Sequence, residues 1–496
     1  MLMGKFKNLR NNLIFDTKSL LFLIIIFGII LRFLFFSGIG ASDDLYYTKY
    51  AYNFGKGTTN YTYNSEEGID SASALTLSTR IGILFPTLLS YKIFGVNDFS
   101  SVIFVLLTGV GNIILIYFFG RLLFNENVGL MASFLLAIFP LEVIHSSKLL
   151  SDIPSAFFMA LGIYLFLYSE IKKKNKIYYL MSGVFIGIGY LIRESAVLIA
   201  LFFLIYVLFY RRIKKEYFLV PLGFILIFAI EPITLYKLTG DPFFRFTTVN
   251  QYLLDFHVYF NYFGRLSYPE GLFHYPYIIL TDNTISYFYI LIFITIIYLI
   301  VTKKRKAYVL MLWFFALLLY LSFGSSSFFR YVPFKATPRY LSIITIPGIV
   351  LLAFFLTEKK KLIKKIVKPV SLSVLLITSF LYSSISINND PVDNLKALYP
   401  YIKNSKKLIY VDTRSKDAID YLSGYNNSIN VEKFPADMSN LSNVYIIVNK
   451  AMIKASVKSN KKIKFPNEIS NPPKKWEIIK EIGKSWDDKA VIYYAP

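Results

Sequence analysis

The sequence predicts an α-helical polytopic membrane protein of about eleven transmembrane helices, followed by a small extracytoplasmic α/β domain. Three observations carry that prediction. Hydrophobic residues make up 55% of the 496 and the mean hydropathy is +0.50, beyond what a soluble domain of ordinary composition reaches. Basic residues are gathered into short clusters, one at the start and the others each directly after an apolar run. Past residue 388 the long apolar runs stop.

Crossing about 30 Å of hydrocarbon takes roughly 20 residues as a helix. Runs of that order fall near 18–38, 100–122, 128–145, 153–170, 178–193, 196–211, 217–236, 285–302, 307–327, 341–357 and 368–387. The pair 178–193 and 196–211 is a single apolar stretch divided by Arg193 and Glu194. The first run follows a basic segment, as a signal peptide would, but continues too long and lacks a small-residue cleavage site, so it reads as an anchor. The run at 81–95 is short and broken by Pro86, which fits an amphipathic helix lying at the interface.

The formal net charge of +23 would suit a nucleic-acid binder, but its distribution fits membrane topology instead. KFKNLRNN at the start, KKKNK (172–176), RRIKK (211–215), KKRK (303–306) and KKKLIKK (359–365) all fall on one side if the N-terminus is cytoplasmic. Segments 39–99, 146–152, 237–284, 328–340 and 388–496 then fall outside. The expected organisation is a membrane domain over 1–387, with 39–99 as its first external loop, and a soluble domain over 388–496. In the latter, short apolar stretches such as KLIYVD, NVYIIVN and AVIYYA alternate with polar helix-like ones such as SKDAIDYL. The sequons at Asn60, Asn426 and Asn440 lie on the outer side, which agrees with this scheme. Cysteine is absent, so disulfides and thiolate metal sites are excluded.

Charges near the bilayer are costly, and they point to function. Asp43 and Asp44 follow the first span, Arg80 precedes the interfacial helix, Asp152 opens the fourth span, and Arg339 precedes the tenth; all five are expected on the outer side. Singly, each has a plainer reading. Asp152, before Ile153 and Pro154, reads as a helix N-cap; Asp43 and Asp44 read as a solvated loop pair; the two arginines read as interfacial anchors. Together, carboxylates from two loops and two arginines supply a base and a phosphate clamp. The aromatic-rich loop at 237–284 reads first as a membrane-interface belt.

These motifs resemble the GT-C glycosyltransferases, in particular the protein O-mannosyltransferases and the bacterial lipid A aminoarabinose transferases. Asp43, Asp44, Tyr47 and Ala51 fit the family's acidic pair with its following Tyr and Ala, although Asp44 stands where Glu is common. STRIGILFPTLLSYKIFGVNDFS, with Arg80, is similar to the basic residue, apolar helix and FG turn. RLLFNENVGLMASFLLAIFPLEVIHSSKLLSDIPSAFFMALGIYLF is similar to the most recognisable block and places Asp152 at the second acidic position. PRYLSIITIPGIVLLA, with Arg339 and Tyr340, resembles the Arg-Tyr block. The resemblance spans roughly residues 15 to 360.

It implies a GT-C-like fold and an inverting glycosyltransferase that moves a sugar, with a hexose such as mannose expected, from a polyprenyl or dolichyl phosphate to an acceptor hydroxyl at the outer face. Asp43 would take the acceptor proton, with Asp44 as its paired acid and Asp152 orienting sugar or acceptor. Arg80, Arg339, Tyr340 and Lys335, with Arg330 beside them, would hold the lipid phosphate, and Tyr47 would contact acceptor or sugar. The expected partners are the lipid-linked donor, a protein, glycan or lipid acceptor and membrane lipids, without nucleic acid. No metal or other cofactor is required by a monophosphate leaving group clamped by arginines; a divalent ion held by one of His145, His257 or His274 with a carboxylate is the alternative.

Two rivals remain at the sequence level. A transporter or flippase would place ionisable groups at membrane depth, and Glu231, before Pro232, is its one candidate. The oligosaccharyltransferase branch of the same superfamily carries a Trp-Trp-Asp motif, whereas Trp313, Trp476 and Trp486 are isolated here.

Overall fold

The computed structural model of the chain describes residues 16–63, 69–173, 175–211, 213–252, 273–325, 337–387, 390–426, 428–459, 465–483 and 488–496. Lys335, Arg330 and His257 lie outside the described residues. Each of the eleven apolar runs contains a helix. The first, α1 (Thr17–Leu34), is capped by Asp16, whose carboxylate accepts from the Ser19 amide at 2.8 Å. The chain then turns through Gly38–Ser42 into α2 (Asp43–Lys56), which ends at the left-handed Gly57.

Next come α3 (Ile69–Ser78) and α4 (Ile81–Phe94), an apolar pair bent by 74° at Thr79 and Arg80. The interfacial helix expected at 81–95 is therefore the second limb of an elbow, and Arg80 is its N-cap residue. Helix α5 (Asp98–Leu123) starts with a capping box between Asn97 and Ser100. Helix α6 (Glu126–Ile138) stops before Pro140, whose ring and missing N–H break the ladder, and α7 (Pro140–His145) begins after the extended Phe139. Then follow α8 (Asp152–Lys172), α9 (Ile177–Ile192), a 3₁₀ turn at Glu194–Leu198 and α10 (Ile199–Tyr210).

The run at 217–236 forms α11 (Leu219–Phe228) and α12 (Ile230–Thr239). After α13 (His274–Thr281), α14 (Ser286–Val301) and α15 (Tyr308–Phe323), a 3₁₀ turn at Pro338–Leu341 leads into α16 (Ser342–Leu356). The last long apolar helix is α17 (Lys368–Ile387). Among the described residues, seven helical stretches are long and apolar enough to cross a membrane, counting α11 with α12 as one and α15 and α16 with the 3₁₀ turns that lead into them, and α6, α9, α10 and α14 are shorter apolar helices. Large apolar side chains such as Phe22, Ile30, Phe85, Leu107, Leu208, Ile225, Ile297 and Ile377 point outward, the inverse of a water-soluble surface.

Helices in lipid pack through small residues, because lipid tails leave little hydrophobic drive between them. Helices α9 and α11 cross where a Cβ on Gly183 would strike the Val220 carbonyl and one on Gly223 the Leu180 carbonyl. The largest apolar cluster joins α5 to α10 with α14 to α16 around Trp313, Phe314 and Phe139.

Residues 390–496 form a five-stranded sheet in the order β2-β1-β3-β5-β4, from β1 (Ile409–Val411), β2 (Val431–Lys433), β3 (Val444–Asn449), β4 (Glu477–Ile482) and β5 (Ala490–Ala495). The first three strands run parallel, with Ile409 opposite Val431 and Tyr445, while β5 is antiparallel to β3 and β4. Helices α18 (Pro391–Ile402), α19 (Thr413–Leu422) and α20 (Lys450–Ser459) accompany the sheet. One apolar cluster includes Val392, Leu395, Leu398 and Ile409 of this domain and Leu45, Tyr47, Ile83 and Val102 of the membrane part.

Candidate active site

The charged residues singled out in the sequence meet at the bundle end that carries the C-terminal sheet. Helix α2 opens with Asp43 and Asp44, both favourable in a first turn where the helix dipole is positive. Their neighbours differ. Asp43 keeps 30% of its side chain exposed and pairs with Arg339 Nη2 at 2.6 Å. Asp44 is buried, and its two oxygens accept from the amides of Gly40 at 2.6 Å and Ser42 at 3.2 Å, with the Ser42 hydroxyl at 3.1 Å. Burial pushes the Asp44 carboxyl up to about 6, against the pull of those hydrogen bonds and of Lys148.

Asp152 is the first residue of α8, but its side chain does not cap that helix. It pairs instead with Arg193, the extended residue that closes α9. Its other oxygen, Oδ2, lies 3.8 Å from Arg339 Nε and accepts no hydrogen bond among the described residues, although the side chain is only 3% exposed. The capping role expected of an Asp before Ile-Pro gives way because Arg193 offers a charged partner to a buried carboxylate. The Tyr340 ring is within cation–π reach of both arginines, 4.3 Å from the Arg193 guanidinium and 5.6 Å from that of Arg339.

A second set adjoins the first. Arg80 grips Glu194 through Nη2 at 2.6 Å and Nε at 3.1 Å, a bidentate pair. Its Nη1 donates to the Tyr47 hydroxyl at 2.6 Å, which donates onward to Ser151 Oγ at 3.2 Å, one residue from Asp152. Arg245 Nη2 reaches Glu194 at 2.9 Å and Nη1 pairs with Glu231, which also accepts from Tyr190 at 2.7 Å. Four arginines thus face four carboxylates: Arg80, Arg193, Arg245 and Arg339 against Asp43, Asp152, Glu194 and Glu231. Asp43, Arg339 and Glu194 are the open members; the others are nearly sealed.

The structure brings together Asp43, Asp152, Arg80, Arg339, Tyr340 and Tyr47. It turns Asp44 away into the preceding turn. Sequence reasoning did not assign Arg193, Glu194 or Arg245 to the site, and weighed Glu231 only as a transporter residue. A signal existed in the charged dipeptide Arg193-Glu194 within an apolar stretch; Arg245 carries none, since it stands in an ordinary-looking loop. His145 Nδ1 engages the Leu141 carbonyl at 2.9 Å, and no group of three or more metal-ligating side chains occurs among the described residues.

Comparison with known proteins gives matches at two levels. The family model of the dolichyl-phosphate-mannose-protein mannosyltransferases matches residues 82–236, about a third of the chain. ArnT from Cupriavidus metallidurans, in its apo state and bound to undecaprenyl phosphate, aligns at TM-score 0.57 and 11% identity over 95% of this chain and 97% of its own. The Archaeoglobus fulgidus oligosaccharyltransferase, in complex with zinc and sulfate, aligns at 0.54 and 12% identity over 96% of this chain and 73% of its own. No curated protein sequence matches. Identities this low establish a shared fold.

Proposed function

We propose that this chain, whose fold is that of the GT-C glycosyltransferases, transfers a sugar from a polyprenyl phosphate to an acceptor hydroxyl with Asp43 as the general base. The observation that carries the reading is the pairing of one open carboxylate, Asp43, with Arg339 beside the buried Asp152. In the step, the acceptor O–H gives its proton to Asp43 as its oxygen bonds to the anomeric carbon. The bond from that carbon to the phosphate oxygen breaks on the opposite face, and its electron pair leaves with the phosphate. Configuration inverts.

Arg339 serves both ends of this displacement. An incoming phosphate competes with Asp43 for its guanidinium, so donor binding frees the carboxylate to accept a proton and places positive charge beside the leaving group. Arg80 contributes field from behind, tied to Tyr47 and Glu194. Asp152 Oδ2, which accepts no hydrogen bond among the described residues, is suited to a sugar or acceptor hydroxyl. Asp44 keeps the turn beside Asp43 in shape and takes no proton from substrate. Lys335 and Arg330, which precede the Arg-Tyr turn in sequence, are assigned to the phosphate on that proximity.

The family match favours a hexose such as mannose and a protein hydroxyl as acceptor, with glycan and lipid acceptors as alternatives. The site and the C-terminal domain are assigned to the outer face because the basic clusters lie at the opposite ends of the helices. A transporter reading is weakened at its own candidate, since Glu231 is sealed against Arg245 and Tyr190.

The test is donor consumption by purified protein in lipid, across a set of radiolabelled polyprenyl-phosphate sugars. The native chain should consume one of them. Asp43→Asn should bind undecaprenyl phosphate within about twofold of native and lose about 10³-fold or more in turnover, the scale of an essential base. Full activity of Asp43→Asn would remove Asp43 from this role.

A further inference from the structure

Four consecutive amides lead into α2, and three carboxylates from three parts of the chain hold them. Ile39 N–H donates to Asp98 Oδ1 at 3.4 Å, Gly40 to Asp44 Oδ2 at 2.6 Å, Ala41 to Asp390 Oδ1 at 2.9 Å and Ser42 to Asp44 Oδ1 at 3.2 Å. Asp44 is local, Asp98 begins α5, and Asp390 is the N-cap of α18 in the C-terminal domain, where it also accepts from Val392 N–H at 3.0 Å. The fit is close: a Cβ on Gly40 would fall on the Asp390 carboxylate, and one on Gly38 on that of Asp98. Gly38 also has a φ of 69°, so GIG is required twice over.

Asp98 is tied to the same domain. Lys396 Nζ lies 2.8 Å from its Oδ2, and the Tyr421 hydroxyl donates to its Oδ1 at 2.8 Å. Further along α2, Lys49 pairs with Asp417 at 2.7 Å, Thr48 Oγ1 meets the Tyr425 hydroxyl at 2.8 Å, and Tyr52 donates to the Tyr425 carbonyl at 3.0 Å with the two rings stacked at 4.7 Å. Helix α2 therefore has two working faces. Asp43 and Tyr47, four residues apart, face the arginines; Thr48, Lys49 and Tyr52 face the domain.

We infer that the C-terminal domain is a positioning element of the active site, and that Asp390 is the positioning residue that fixes the 38–42 turn and hence the Asp43 carboxylate. The inference rests on the reading of Asp43 as base. Converging three acids on one turn is unfavourable unless the amides they hold must not move, and a misplaced base costs more in turnover than in donor affinity. The domain is thus part of the catalytic geometry, whatever it recognises besides.

The experiment compares the full chain in lipid nanodiscs with Asp390→Ala and Asp390→Asn. It reads hydrogen exchange across residues 36–46, the Kd for undecaprenyl phosphate, and kcat on the donor that the native chain consumes. Asp390→Ala should speed exchange at the turn, leave the Kd within about twofold and lower kcat by about 10- to 100-fold; Asp390→Asn, which keeps an acceptor oxygen, should restore most of the rate. Faster exchange at the turn with unchanged kcat overturns the inference and leaves the sugar-transfer reading standing. Equal loss of kcat and donor affinity, with exchange raised throughout the chain, reduces the domain to bulk stabilisation and also overturns it. If Asp390→Ala does not fold, Lys49→Ala with Tyr425→Phe loosens the same helix at its rim; the same loss of kcat at constant Kd is expected, and an unchanged kcat overturns the inference. A native chain that consumes no donor removes both the transfer reading and this role, while exchange at the turn still reports whether Asp390 holds it.

Discussion

Adjacent carboxylates at residues 43 and 44 have opposite surroundings because neighbours on a helix point about 100° apart. Asp43 projects toward Arg339; Asp44 folds back under its own turn. Burial raises the Asp44 pKa to about 6, above the unfolded value near 4. A folded-state pKa above the unfolded one means the native state holds the extra proton, so this group's contribution is full below pH 4 and is lost as pH rises through about 6. The loss amounts to about 3 kcal/mol. Unfolding of the native protein at pH 4 and pH 7, set against Asp44→Asn, should show that difference in slope, with the variant flatter; parallel curves would place the Asp44 carboxyl in a far wetter setting.

At the scale of elements, the connections between helices build the site. The 3₁₀ turn at Glu194–Leu198, the elbow at Arg80 and the 3₁₀ turn at Pro338–Leu341 each bring a charged side chain to the same bundle end. Arg245, in the helical segment at 244–252, bridges the Glu194 turn to α12. Arg245→Met would leave Glu231 sealed without its cation, and should destabilise the protein by about 3–5 kcal/mol. Adding Glu231→Gln removes that stranded charge while keeping an acceptor for Tyr190, so the double variant should recover more than half of the loss. Thermal unfolding of the three proteins in detergent measures both steps. Equal destabilisation of single and double variants would mean that Arg245 matters through packing alone.

Across the whole molecule, the lack of cysteine offers a direct test of topology, since any introduced thiol is the only one. Thr58→Cys, after α2, should react with a membrane-impermeant maleimide added outside intact cells. Asn175→Cys, between α8 and α9, should react only after permeabilisation. The reverse pattern would invert the assigned orientation and move the site to the cytoplasmic face.

The pattern of apolar runs is a local property of the chain, so the membrane class, the helices and the α/β character of the C-terminal segment are legible in the sequence. Charge at span ends is costly wherever the fold carries it, so Asp43, Arg80, Asp152 and Arg339 could be singled out one by one. Which carboxylate pairs with an arginine and which braces a turn could not be read there, because Asp43 and Asp44 share type and place in the chain, while the Arg339 that pairs with Asp43 lies 296 residues away. The same holds for Arg245, whose partners Glu194 and Glu231 stand on other elements, and for Asp390, whose bond to Ala41 spans 349 positions of the chain. Sequence alone determined what the chain must bury in lipid and where its charges are costly. Tertiary structure alone decided how those charges pair, because a buried ion is tolerated only beside a partner, and the partners here come from distant segments.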